Sequence, residues 1–409
     1  MKIWSYTFGC KVNQYETELL RHRISSPGDT LVKNPEEADL CLVNTCTVTQ
    51  FADKECRQLI RKVLRANTTA RVIVTGCYAT RDSQEIKDIS PRLEVYTNQE
   101  KNELPSCIGF EVADKPLGIH QFAGRTRAFL KIQDGCKAPC NYCIIPTVRP
   151  DMTSKTVTQV LEEVNALLDH GYQEIVLTGI RLGLYRGVGE GGNKIDLLSL
   201  LKIITAIPRK FRIRLSSLEV TEVTDELIDF VSKNSKICRH FHIPMQSGNS
   251  EVLKNMRRWY NADFYMERVE KVRSVMPDCG VTADVMVGYP TETEEQFMIT
   301  YENIKKMNLS GLHVFRFSAR EGTPAATLKP LQSSHISERA ERLGKLDKEL
   351  REAFYRRFEG ATREVLPEPS GEGWSDNYIR VDVPLNLVPH GMGTHKISSH
   401  EYPPIALSI

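Results

Sequence analysis

Cys136, Cys140 and Cys143 fall within eight residues in the stretch DGCKAPCNYCIIP. Three soft thiolates at this spacing can grip one metal centre, yet no histidine and no fourth cysteine lies close by. A structural zinc site closes with four protein ligands, so a remote residue such as Cys238 would have to complete it. An iron-sulfur cubane held by three thiolates instead keeps one iron open to an external ligand. Three further cysteines, Cys10 in TFGCKVNQ, Cys46 in VNTCTVT and Cys77 in VTGCYA, each follow directly on a strand-like stretch. In a parallel α/β fold such strand ends share one sheet edge, where ligands bind, so the three read as one site assembled from distant sequence. Cys41, Cys56, Cys107, Cys238 and Cys279 carry no motif and are expected to pack as small apolar groups.

The elements that must position these thiols can be read from periodicity. Over residues 1–117, the strand-like runs IWSYTF, ADLCLVNT and RVIVTG alternate with helical patterns over 15–23, 54–67 and 83–89. That alternation predicts βαβ units and a small doubly wound parallel-sheet domain. A second series, over 125–357, offers six strand candidates: AFLKIQ, EIVLTG, FRIRLSS, HFHIP, VTADVMVG and LHVFRFS. Val157, Val160, Leu161, Val164, Leu167 and Leu168 fall at helical spacing between the first two. Thr291, with Glu294 three residues on, reads as a capping box for a later helix. Six βα units predict a partial TIM-like barrel, with its chemistry at the C-terminal ends of the strands. Residues 358–409, with TREVLPE and NYIRVDVP, read as a small β domain.

That geometry nominates polar residues where the barrel opens. Thr178 and Gly179 end the second strand and Glu219 follows the third; His242 and Gln246 follow the fourth strand, Asp284 lies in the fifth and Arg316 in the sixth. For each, a satisfied structural contact is the competing reading. Trp374 and Tyr378 have the chemistry to stack on bases, although aromatics in a small β domain more often form its core.

Composition bounds the class. Hydrophobic content of 41% and charged content of 26% over 409 residues are those of a globular protein of two or three domains. A net charge of +2, from 54 basic and 52 acidic residues, neither demands nor excludes a nucleic-acid partner. No apolar run approaches the roughly 18 residues of a membrane span. The opening MKIWSYTFGC turns polar too soon for a signal peptide, so a cytoplasmic chain with reduced thiols and no membrane partner is expected.

With its C-x3-C-x2-C loop after the first barrel strand, the chain resembles the radical S-adenosylmethionine superfamily. TFGCKVNQYETE, NTCTVT, VTGCYA, HIPMQSGN, DVMVGYPTETEEQF and FRFSAREGTPAA together look like the methylthiotransferases, closest to the branch acting on threonylcarbamoyladenosine in tRNA. GWSDNYIRV resembles the RNA-binding TRAM β-barrel that follows in that family.

The resemblance implies two 4Fe-4S clusters. Cys136, Cys140 and Cys143 would hold the one that cleaves S-adenosylmethionine, and Cys10, Cys46 and Cys77 an auxiliary one that carries the sulfur. It implies methylthiolation of carbon-2 of the adenine beside the anticodon, with the tRNA anticodon stem-loop, an external electron donor and a sulfur source as partners. Thr178, Gly179, Glu219 and Asp284 would then line the S-adenosylmethionine pocket, and His242, Gln246, Arg316 and Arg320 would face the substrate. The two arginines are the candidates for the threonylcarbamoyl carboxylate, against an equally weighted structural role. Alternative readings are methylthiolation of isopentenyladenosine tRNA or of a ribosomal-protein aspartate, and, more remotely, a non-catalytic iron-sulfur electron carrier. The chain departs from the family at PTVRP, where Pro150 replaces the usual glycine.

Overall fold

β1 (Lys2–Thr7), β2 (Thr30–Leu31), β3 (Leu40–Thr45), β4 (Arg71–Gly76) and β5 (Leu93–Val95) pair in parallel in the order β2-β1-β3-β4-β5. The run LCLVNT becomes β3 and is buried at every position, as a parallel strand covered on both faces requires. α1 (Lys11–Ile24) leaves β1, α2 (Gln50–Ala66) leaves β3, and α3 (Cys77–Arg81) leaves β4. Thr49 caps α2 by accepting from the Ala52 amide. Strand order reverses between β1 and β3, which puts the loops after β1, β3 and β4 at one crevice. This computed structural model describes residues 1–110, 118–383 and 391–397, and the backbone of 406–407. The expected boundary at 117 and parts of the expected terminal domain (384–390, 398–405 and 408–409) lie outside the described residues.

The second series builds β6 (Arg127–Asp134), β7 (Thr153–Ser154), β8 (Glu174–Gly179), β9 (Arg186–Val188), β10 (Lys194–Asp196), β11 (Arg212–Leu215), β12 (His240–His242), β13 (Gly280–Val287) and β14 (Gly311–Arg316). β6, β8 and β11 pair in parallel, as do β12, β13 and β14; bridges Ile213–Ile237 and Ser217–His242 join the two groups. The partial barrel of six parallel strands is therefore present. Sequence periodicity missed β7 and the β9–β10 hairpin because strands of two or three residues carry too few alternations. The capping box is shifted as well: Thr293 and Gln296, rather than Thr291 and Glu294, cap the helix Glu294–Met307. Tyr15 of α1 sits in the barrel's core, and its hydroxyl donates to Glu163 at 2.7 Å, so the first sheet is built onto the barrel.

β15 (Thr362–Pro367), β16 (Glu372–Ser375), β17 (Arg380–Asp382), β18 (Gly393–Ile397) and β19 (Ala406–Leu407) form an antiparallel sheet in the order β17-β16-β15-β18-β19. It docks on the N-terminal ends of the barrel strands. Arg212 and Arg214 share Glu174 and donate to the carbonyls of Trp374 and Ser375. Arg127 pairs with Glu368 at 2.8 Å. Gly280 opens β13 where a Cβ would lie 2.3 Å from the Asn377 carbonyl, so a close backbone approach demands glycine. Trp374 and Tyr378 are used in this docking: Tyr378 stacks between His240 and Trp374, with centroids 4.2 and 4.5 Å away. Among the described residues no helix is long and apolar enough to cross a membrane.

Candidate functional site

The loop after β6 turns at Gly135, whose φ of 76° and missing Cβ allow the Asp151 carbonyl to approach. Asn141 ties the loop down. Its side chain donates to the Asn255 carbonyl at 2.6 Å and accepts from the Tyr289 hydroxyl at 3.0 Å, while its carbonyl accepts from Ala325. The helical turn Ile145–Val148 ends at Arg149, before Pro150, as a pre-proline residue prefers. The sulfurs meet donors: the Ala138 amide reaches Cys136 Sγ at 3.4 Å, Arg258 Nη1 reaches Cys140 Sγ at 3.1 Å, and the Ile145 backbone faces the Cys143 thiol. Burial pushes the Cys143 thiol up to about 12, with the neighbouring Cys140 and Cys136 adding to the effect.

A cavity of about 280 Å³ opens over these thiols, walled by Glu219, Gln246, Asp284, Arg181 and Trp259. Arg258 holds Glu219 as well as Cys140, and burial raises the Glu219 carboxyl against that cation's pull. The guanidiniums of Arg181 and Arg258 each lie 4.5 Å from the Trp259 ring. Gln246 has a φ of 64°, a left-handed conformation that costs a side-chain-bearing residue on the order of 1–3 kcal/mol. Its amide donates to the Asp284 carbonyl at 2.9 Å, and its carbonyl accepts from Met286 at 2.8 Å. His242 joins Asp284 at 3.1 Å and Thr282 at 2.9 Å. Thr178 and Gly179 do not line this wall; the following Ile180 and Arg181 do. Thr178 is buried, and a Cβ on Gly179 would meet Gln133.

The second trio meets at the crevice of the first sheet. Asn13 in α1 donates to the carbonyls of Phe8 and Thr45, at 2.9 and 3.0 Å, and so ties the Cys10 and Cys46 loops together. Gly9, with φ 86°, leaves open the space beside Cys46 Sγ, where a Cβ would stand 2.8 Å away. Asn98 donates to Cys77 Sγ at 3.7 Å. Burial pushes the Cys46 thiol up to about 12, and the charges of Cys77 and Cys10 raise it further, so the three are close enough to interact.

Two bridges lock the trios together. Glu16 of α1 receives Lys101, Lys131 and Arg149, and Arg149 also bonds Asp134 and Asn13. Burial alone would raise the Glu16 carboxyl, but Arg149 and Lys101 hold it well below the usual range. Cys77 packs directly on Ile144 and Val148, which follow Cys143. A second cavity, of about 190 Å³, reaches from Cys143, Gln246 and Asp284 to Val48 and Thr49 beside Cys46, with Arg316 on its wall.

Arg320 corrects a sequence expectation. It was a candidate for a substrate carboxylate, yet it is 1% exposed and binds Asp53 at 2.5 Å and Thr47 at 2.8 Å. Its carboxylate partner is the protein's own.

Among the described residues, no three His, Cys, Asp or Glu side chains converge as ligands of a single metal ion would. In a cubane each thiolate takes a different iron, so the thiols need not aim at one point. Donors on the sulfurs of Cys77, Cys136 and Cys140, and the side-chain-free space beside Cys46, suit such clusters. The zinc alternative through Cys238 fails: that residue precedes β12 beside Arg214 and Glu174, at the opposite end of the barrel. As free thiols Cys46 and Cys143 stay protonated at neutral pH, so ligation must release their protons.

Sequence reasoning missed Arg258, Trp259 and Arg181. The basic and aromatic run RRWY was the available signal, but its approach to Cys140 depends on barrel closure across 118 positions.

Residues 2–97 match the family described as Uncharacterized protein family UPF0004, and residues 130–304 match the Radical SAM superfamily. The chain is 38% identical over 404 residues to the threonylcarbamoyladenosine tRNA methylthiotransferase MtaB of Bacillus subtilis (strain 168), covering 92% of this chain and 89% of that one. It is 35% identical to the MtaB of Thermotoga maritima, over 88% of this chain and 85% of that one. It is 31% identical to the tRNA-2-methylthio-N(6)-dimethylallyladenosine synthase of Ehrlichia canis, over 91% of this chain and 89% of that one. In solved structures, the radical S-adenosylmethionine methyltransferase TsrM of Kitasatospora setae shares the fold, with a TM-score of 0.55 at 13% identity over 80% of this chain and 77% of that one.

Proposed function

The chain belongs to the radical S-adenosylmethionine tRNA methylthiotransferases, and from that premise we propose that it adds a methylthio group to carbon-2 of N6-threonylcarbamoyladenosine beside the anticodon. The observation that carries this reading is the contact of the two trios through one wall, Cys77 on Ile144 and Val148, with a cavity running from Cys143 to the Cys46 loop. A base seated there would be within reach of both thiol sites. Three units carry the activity: 1–117 with the auxiliary site, 125–357 with the barrel, and 358–409 with the TRAM-like sheet.

Cys136, Cys140 and Cys143 would hold one 4Fe-4S cluster, and Cys10, Cys46 and Cys77 the other. When bound, such clusters supply reductive cleavage of S-adenosylmethionine and the sulfur for transfer, chemistry beyond any side chain. The protein's own work is positioning. Arg258 fixes Cys140 and Glu219 in one orientation. Glu219, Gln246, Asp284 and Trp259 shape the cavity that receives S-adenosylmethionine, and Tyr142, Cys143, Gln246 and Asp284 line the second cavity as well, so the two spaces adjoin. Glu16 and Arg149 keep the two trios in fixed register. An external electron donor and a sulfur source serve the enzyme in a cytoplasmic setting.

The test is a nucleoside profile of tRNA from cells lacking this protein. The methylthio form of threonylcarbamoyladenosine should vanish, return with the intact gene, and stay absent with Cys140→Ala. Loss of methylthio-isopentenyladenosine instead would assign the chain to the neighbouring branch.

A further inference from the structure

Arg316 and Arg320 lie four residues apart and are used in opposite ways. Arg320 is buried on Asp53, whereas Arg316 is exposed and has no hydrogen bond or ion pair among the described residues. The segment that carries Arg316 is fixed. Gln50 donates from its backbone to Ser318 Oγ at 3.0 Å and from its side chain to the Ala319 carbonyl at 3.1 Å, so the end of β14 is pinned to the start of α2. A pinned strand end with a free guanidinium is preorganised to meet an anion.

The cavity beside it has two kinds of wall. Tyr142, Met286, Phe315 and Phe317 are apolar or aromatic, and Gln246, Thr49 and the Asp284 carboxylate, which His242 meets, supply polar groups. At the opening, Val48 and Phe315 are 53% and 47% exposed, large apolar groups left facing solvent from both sides. At about 190 Å³ the space is smaller than the roughly 300–1,000 Å³ of a drug-sized pocket, a scale that suits a base and the start of its substituent.

Resting on the proposed function, we infer that this cavity is the subsite for the modified adenine and that Arg316 pairs with the carboxylate ending its threonylcarbamoyl substituent. The base lies against the aromatic wall between the thiol sites, and the substituent runs outward to the guanidinium. An isopentenyl group carries no charge and leaves Arg316 unpaired, so the same residue selects between the two adenine modifications.

The reconstituted full-length protein is titrated with anticodon stem-loops carrying threonylcarbamoyladenosine, its neutral methyl ester, isopentenyladenosine or plain adenosine. Wild-type protein should bind the acid most tightly. Arg316→Ala should weaken acid binding by roughly tenfold or more, the range for a lost charge-assisted bond, and leave the ester nearly unchanged. Arg316→Lys should recover part of the preference. Equal losses for acid and ester would make Arg316 a general backbone contact and overturn the inference, as would no loss at all. Weakened S-adenosylmethionine binding by Arg316→Ala without RNA would place the arginine on the methionyl carboxylate and overturn it as well. Wild-type protein that prefers isopentenyladenosine would refute the substrate assignment itself, a failure separate from that of Arg316.

Discussion

Arg320 and Asp53 meet at 2.5 Å, with side chains 1% and 5% exposed, and join the segment after the last barrel strand to α2 of the first sheet. The pair stands beside Thr47, one residue from Cys46, so the geometry of the auxiliary trio depends on a residue 274 positions away.

Breaking that pair should destabilise the protein strongly, because the remaining charge stays buried without its partner. Asp53→Ala is expected to cost about 3–5 kcal/mol in denaturant unfolding. The double change Asp53→Ala with Arg320→Met should recover much of the loss. A single-variant effect below about 1 kcal/mol, the level of a surface ion pair, would contradict the assignment.

Iron content should separate the trios. Anaerobically reconstituted protein is expected to hold about eight irons in two cubanes, and replacing Cys136, Cys140 and Cys143 by Ala should leave about half. Loss of all iron in that variant would show that the sites do not assemble independently.

Chemistry should separate them too. With Cys10, Cys46 and Cys77 replaced by Ala, 5′-deoxyadenosine should still form from S-adenosylmethionine while methylthiolated RNA disappears. Product from this variant would remove the auxiliary role from those three thiols.

Acid should loosen the terminal sheet. Burial alone would raise the Glu174 carboxyl, but Arg214 and Arg212 hold it far below the usual range. A depressed carboxylate contributes its stability fully above the unfolded value of about 4.3 and loses it as pH falls toward the folded value. Unfolding midpoints should therefore drop steeply below about pH 4, and Glu174→Gln should lower them at neutral pH by orphaning two buried arginines. Limited proteolysis should release residues beyond the helix Ser333–Arg356 first. A variant whose midpoint matches wild type at pH 7 would count against the docking role.

The legible parts of the site were local. Cys136, Cys140 and Cys143 share one loop, and Cys10, Cys46 and Cys77 share one kind of strand end, so spacing and strand pattern sufficed to group them. Among the barrel strands EIVLTG was legible as a continuous apolar run, while FRIRLSS and LHVFRFS, which carry arginines, were legible from their β-branched and aromatic residues between helical stretches. Arg258 was not, since its contact with Cys140 exists only after the barrel closes. Arg320, which entered as a candidate for the substrate carboxylate alongside the resemblance, takes its direction from docking against Asp53, a contact that no local pattern encodes. Tyr378 finds one of its two ring partners, His240, on a different sheet, and no periodicity within 358–409 encodes it.

The terminal sheet grips the rim where the barrel strands begin, while the thiols lie where they end. β13 runs between the two: Gly280 meets the terminal sheet, and Asp284, four residues and about 13 Å farther along at roughly 3.3 Å each, walls the cavity over the thiols. The barrel is therefore a spacer of fixed length. An RNA that touches the terminal sheet with its backbone and the opening with one base is held at two points whose separation the protein sets. Which base reaches the thiols then becomes partly a matter of distance along the RNA, with the barrel as the measuring rod.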